Sequence, residues 1–300
     1  MLTPLLHTIN VTVLDLESTH ETMTAQTVVE LVQITSSVHT LITRRFGWSS
    51  QEIVSLTRAL CTNSSITHLD LGNIDHHPDA IQSIAHLLET NSTIHHISMF
   101  QSGEDDPSIC PRRHQLCTHL VKAIGCSKTL DSLSIGQEHV DDPTDRAIRA
   151  MLFLNTSMTR LCIMGQDFHD EKFIRPWQAM QVNTSLARFS VPTKQIRYNR
   201  YLERLFPYLR SNVTIQYIGL ERNLLTVDDI PCGAAWPTHT PFVVNITGNR
   251  LHRHERCCQA LMKKLEHAAR RALLIVVSAP GESTPAAIAF AQGVCMSDLW

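Results

Sequence analysis

Apolar residues in this chain fall in short groups separated by polar ones, and the groups recur. The stretch "NSSITHLDL" from Asn63 carries apolar side chains at Ile66, Leu69 and Leu71. The frame N-x-S/T-h-x-x-h-x-h, where h is apolar, returns in "NSTIHHISM" from Asn91, "NTSMTRLCI" from Asn155, "NTSLARFSV" from Asn183 and "NVTIQYIGL" from Asn212. Looser copies are "TINVTVLDL" from Thr8, "TSSVHTLIT" from Thr35, "SKTLDSLSI" from Ser127 and "THTPFVVNI" from Thr238. Alternation of this kind predicts a short strand in each copy. Successive copies stand close to 28 residues apart, except between Asn91 and Ser127, where eight extra residues intervene.

The second half of each period has helical spacing. "DAIQSIAHLLETN" sets Ile81, Ile84, Leu87 and Leu88 on one face, and "DRAIRAMLFLN" does the same with Ile148, Met151 and Leu152. "VSLTRALCTN", "LVKAIGCS" and "YLERLFPYLRSN" end at the same phase. The repeated Asn is read as the place where each helix stops, in the left-handed conformation that Asn tolerates. Each unit is therefore strand, loop and helix. One unit cannot bury its own apolar face, whereas stacked units share a continuous core and align their strands in a parallel sheet.

The h-x-x-h-x-h strand with a helical partner and a 28-residue period resembles a leucine-rich repeat of the ribonuclease-inhibitor-like class, as in the repeat domains of Ran GTPase-activating proteins and NOD-like receptors. The resemblance covers about residues 8 to 250. It implies an α/β leucine-rich-repeat solenoid of about nine 28-residue repeats, an open horseshoe with a parallel concave sheet and outer helices. Asn223 and Asn249 match the Asn that the family places three residues after the last strand position, whereas Ile74, Glu138, Gln166 and Lys194 occupy it elsewhere. The expected division is a repeat array over 1–250 with an insertion near 101–115, then a C-terminal capping helix and tail over 251–300.

Side chains that flank the inward apolar positions point to the concave side. They include Asp15, Arg44, His68, Asp70, His96, Ser98, Phe100, Arg160, Cys162, Met164, Arg188, Ser190, Tyr217, Glu221 and Asn245. Arg, aromatic and Met side chains are the types enriched at interface centres. The candidate protein-binding residues are therefore Arg160, Arg188, Tyr217, Phe100 and Met164, with His68, His96 and Asp70 alongside. The paired histidines at His76 and His95 are read as solvent-exposed neighbours. The insertion "FQSGEDDPSICPRRHQ" reads as a surface loop able to carry a contact.

Composition narrows the choice. A formal charge of -2 on 300 residues gives no overall field toward nucleic acid or anionic lipid. Seven basic residues between Arg250 and Arg271 accompany a helical stripe from Cys258 to Ala272, which suits the polar outer face of a cap. A short helix is also expected after Thr284 and Pro285. His252, His254, Cys257 and Cys258 have side chains that suit zinc, but no second ligand pair stands at a matching spacing, and no metal or cofactor is assigned. The nine cysteines lack C-x-x-C pairs and read as reduced thiols. The longest apolar run, Ala272 to Val277, is far short of the roughly 20 residues of a membrane helix. The N-terminus has no basic residue before its apolar part, and no signal peptide is read there. The seven N-x-S/T sequons, at Asn10, Asn63, Asn91, Asn155, Asn183, Asn212 and Asn245, are read mostly as a by-product of the repeat.

No phosphate loop, dinucleotide fingerprint, nucleophile elbow or HExxH motif occurs. The expected function is a non-catalytic, cytoplasmic, monomeric scaffold that binds a protein partner on its concave surface. The alternative is a GTPase-activator-like regulator of a small GTPase, which stimulated phosphate release would distinguish. The resemblance offers no residue that maps to a catalytic role there.

Overall fold

The structure, a computed structural model, describes residues 11–16, 23–44, 46–74, 78–101, 119–136, 142–164, 175–192, 211–223, 242–245, 273–277 and 286–290, together with 205, 207–209 and 225. These form two compact units, Met1–Met158 and Thr159–Trp300.

In the first unit, strands β1 (Val13–Asp15), β2 (Thr40–Ile42), β3 (His68–Ile74), β4 (His96–Gln101) and β5 (Ser132–Gly136) alternate with helices α1 (Ala25–Ile34), α2 (Ser50–Thr62), α3 (Pro78–Thr90) and α4 (Asp142–Leu154). The strands are parallel and pair in sequence order, so that Thr40, His68, His96 and Ser132 share one register. In the second unit, β6 (Arg160–Met164), β7 (Arg188–Ser190), β8 (Tyr217–Gly219) and β9 (Phe242–Asn245) run parallel, with helix α5 (Arg175–Val182) between β6 and β7. Strands β1 to β8 each begin five residues after the start of their sequence frame, and β9 begins four after Thr238.

The apolar frame positions form the core. Ile66, Leu69 and Leu71, and likewise Leu186, Phe189 and Val191, are at most 2% exposed. Ile81, Ile84, Leu87 and Leu88 of α3 and Ile148, Met151 and Leu152 of α4 are buried as their spacing predicts. Helix starts follow local chemistry. Ser49 and Glu52 form a reciprocal capping box on α2, and Pro78 opens α3 where the missing N–H costs nothing.

The repeated Asn is not left-handed. Asn63 has φ -78° and ψ 130°, an extended backbone. Its side chain does the work instead. Nδ2 donates to the carbonyls of Val32 (2.8 Å) and Thr35 (3.2 Å) of the preceding repeat, while Oδ1 accepts from Ser65 N and Ile66 N. Asn91 repeats the pattern on Leu60 and Asn63, Asn155 on Ile124 and Ser127, and Asn212 on Met180 and Asn183. The hydroxyl two residues on adds a second tie: Ser157 Oγ lies 3.0 Å from the carbonyls of both Ser127 and Leu130. At Ser127 a short hydroxyl stands in for the amide and accepts from Leu130 N, which is the acceptor half alone. Asn is thus the side chain that satisfies two donors and two acceptors at a buried turn.

The C-terminal region departs from expectation. Beyond β9, β10 (Leu273–Val277) pairs parallel to it, and β11 (Ala286–Phe290) pairs antiparallel to β10. A strand therefore stands where a helix was expected after Pro285. Ala-rich "AAIAF" favours helix locally, but the unpaired edge of β10 offers a ladder of hydrogen bonds that overrides it. The capping helix, the insertion near 101–115, the histidine and cysteine cluster at 252–258, Asn249 and Asn10 lie outside the described residues.

Candidate functional site

The solvent face of β6 to β8 carries a row of candidate binding side chains. Arg160, Arg188 and Tyr217 occupy the same register position on three adjacent strands, because each stands first in its strand. The following residues, Leu161, Phe189 and Ile218, turn into the core and hold that register. Both arginines are exposed and Tyr217 is half-buried. The Arg188 guanidinium carbon lies 5.8 Å from the centroid of the Tyr217 ring, within cation–π range.

Tyr217 is itself held from below. Its hydroxyl donates to Glu221 Oε1 (2.6 Å), and Asn245 Nδ2 donates to both Glu221 Oε1 (2.7 Å) and the Tyr217 oxygen (3.0 Å). Ser190 Oγ reaches the other carboxylate oxygen at 3.4 Å. Arg222, next to Glu221, adopts φ 54° in the turn after β8. A Cβ on Gly219 would collide with Ser190 Oγ and stand 2.7 Å from Glu221 Oε2, so only glycine leaves space for the carboxylate. Burial, with the bond to Glu221, pushes the Tyr217 phenol up to about 12, so the ring is a neutral donor over the whole physiological range.

Met164 lies at the far end of β6, half-buried. Phe100 is on β4 of the first unit, and its side chain lies outside the described residues. His68, His96 and Asp70 also belong to the first unit. His68 and His96 face each other across the β3–β4 register and stack with centroids 3.9 Å apart. Burial of the ring, with His95 nearby, lowers the His68 pKa below the usual histidine value. His95 is exposed and its Nδ1 lies 2.8 Å from the Thr129 carbonyl, whereas His96 is half-buried, so the two neighbours do not share the solvent role read for them. Asp70 pairs with Arg44 at 2.6 Å and accepts from Gly72 N, so its carboxylate is already engaged.

The alternation placed Glu221 and Asn245 on this face, but their convergence on Tyr217 was hidden. It depends on a turn 4 residues after Tyr217 and on a strand 28 residues away. Gly219 was the available signal, a glycine standing where its neighbours carry Cys162 and Ser190. Among the described residues, no group of three or more His, Cys, Asp or Glu is placed to hold a metal ion.

No protein-family profile and no curated protein sequence matches this chain. Solved structures do. The leucine-rich repeat-containing protein LegL7 from Legionella pneumophila superposes with a TM-score of 0.56 over 88% of this chain and 82% of its own, at 10% identity. The tropomodulin C-terminal domain from Caenorhabditis elegans matches with a TM-score of 0.39 over 54% of this chain and 93% of its own, at 15% identity. With the strand–helix repeat and the parallel pairing, the likeness to the first of these shows an α/β leucine-rich-repeat solenoid fold.

Proposed function

We propose that this protein is a non-catalytic scaffold, cytoplasmic and monomeric, whose β6–β8 face binds an acidic segment of a partner protein. The observation that carries the reading is the in-register row Arg160, Arg188 and Tyr217, with Arg188 over a ring anchored by Glu221 and Asn245. Two guanidiniums on adjacent strands repel each other, and among the described residues neither has a carboxylate partner. A carboxylate-rich segment relieves that repulsion and meets two planar forks able to bind bidentately. Because the Tyr217 ring is already fixed, little side-chain ordering remains to oppose association.

The test is a pull-down from native lysate with the wild-type chain and the Arg160→Ala, Arg188→Ala, Tyr217→Ala triple variant side by side. The expected result is that one or more partners are lost with the variant, while its far-ultraviolet circular dichroism is retained. Recovered partners should also elute as ionic strength rises, since a charge-led contact on an exposed face is screened by salt. Identical retention by both baits would refute the assignment of binding to this face.

A further inference from the structure

The sequons at Asn63, Asn91, Asn155, Asn183 and Asn212 distribute their three residues among three environments. All five asparagines are buried, at 2% to 8% exposure. The middle residues, Ser64, Ser92, Thr156, Thr184 and Val213, are exposed, and the hydroxyl residues two places on are half-buried. At Asn63, Asn91, Asn155 and Asn212 both hydrogens of Nδ2 are donated to carbonyls of the preceding repeat. Asn183 shares the acceptor half, taking Ser185 N and Leu186 N on Oδ1.

N-glycosylation joins Nδ2 to the anomeric carbon of an oligosaccharide. One N–H bond is replaced by N–C, its proton is released, and the sugar leaves a lipid-diphosphate carrier. The product has one donor where the ladder uses two, and a bulky polar group where the fold leaves no space. We infer that a glycan on any of these five asparagines and a folded repeat exclude each other, so this chain completes its folding where N-glycosylation does not act. At Asn63, Asn91, Asn155 and Asn212, the hydroxyl that makes the site a formal acceptor is the same one that ties it to the neighbouring repeat. The sequon is therefore a signature of the buried ladder and marks positions where modification is incompatible with the native state.

The experiment adds a secretory leader to the full chain in a glycosylating eukaryotic host. Thr12→Val and Thr247→Val are present throughout, to silence the sequons at Asn10 and Asn245. Secreted and retained protein is separated by protease resistance, and the five sites are mapped by mass spectrometry. Glycopeptides from the five sites are expected only in the protease-sensitive or aggregated fraction. A glycan at any of them on protease-resistant, monodisperse protein would overturn the inference, and this readout needs no further variant. A second arm carries Ser64→Pro, Ser92→Pro, Thr156→Pro, Thr184→Pro and Val213→Pro, because N-P-S/T is not an acceptor. The extended backbone of Asn63 is the one that a residue before proline adopts. If this variant folds without the leader, it should give several-fold more folded, secreted protein than its parent. An equal yield would show that glycans are not the obstacle and would also overturn the inference.

Discussion

At Asn91, one side chain closes four hydrogen bonds, donating to Leu60 and Asn63 and accepting from Thr93 N and Ile94 N. Truncation leaves the Thr93 and Ile94 amides unpaired in a buried turn and takes one donor from each of the Leu60 and Asn63 carbonyls, which keep weaker bonds from Asn63 N and the Thr93 hydroxyl. Asn91→Ala should therefore cost about 2–4 kcal/mol. The adjacent exposed Ser92→Ala should stay within about 0.5 kcal/mol. Urea unfolding midpoints of the two variants check the contrast, and similar losses would contradict the ladder. Tyr217 makes a pH-dependent contribution of definite sign. Its neutral hydroxyl donates to Glu221, and the folded pKa of about 12 stands above the usual phenol value of 10.0. The resulting stabilisation is complete below 10.0 and is lost as pH rises through about 12. The stability advantage of wild type over Tyr217→Phe should therefore be flat at neutral pH and shrink across that window. An advantage that does not change through the window would mean that the phenol does not donate there.

At the scale of single elements, two glycines divide structural from site roles. Gly72 adopts φ 63° at the register shift between β3 and β4, and a Cβ there would land on the Arg44 backbone. The backbone cannot give way as a side chain can, so Gly72→Ala should cost about 2–4 kcal/mol and loosen the β2–β3 pairing. Gly219→Ala meets the movable ends of Ser190 and Glu221 and also the Ser190 Cβ at 2.9 Å, which its strand holds in place. It should cost about 1–2 kcal/mol, less than Gly72→Ala, while displacing Glu221 from Tyr217. Thermal unfolding separates the two variants, and the environment of Tyr217 in the near-ultraviolet circular dichroism should change only in the second.

On the scale of the whole molecule, the repeat is the unit of construction. Within the first unit each described strand pairs only with its sequence neighbours, and each ladder asparagine ties to the repeat before it. Excising one full period, residues 63–90, brings Asn91 into the place of Asn63, where Val32 and Thr35 offer the same carbonyls. The shortened chain should fold with unchanged secondary-structure proportions and a lower urea midpoint. Excising only 63–76 puts a helix where a strand must pair, and cooperative unfolding should be lost. Circular dichroism during urea titration distinguishes these outcomes.

The period, the nine strand positions and the inward apolar set follow from sequence alone, because repeat stacking is a local rule: each frame needs only its neighbours to bury its face. The row of Arg160, Arg188 and Tyr217 was legible for the same reason, since a constant period carries register from strand to strand. Three things required the tertiary structure. The extended asparagine depends on carbonyls from the preceding repeat, the clamp on Tyr217 depends on a turn and a second strand, and the strand at Ala286–Phe290 depends on the edge of β10. Each is a hydrogen bond whose partner lies outside its own segment, and periodicity within a segment does not encode such a partner.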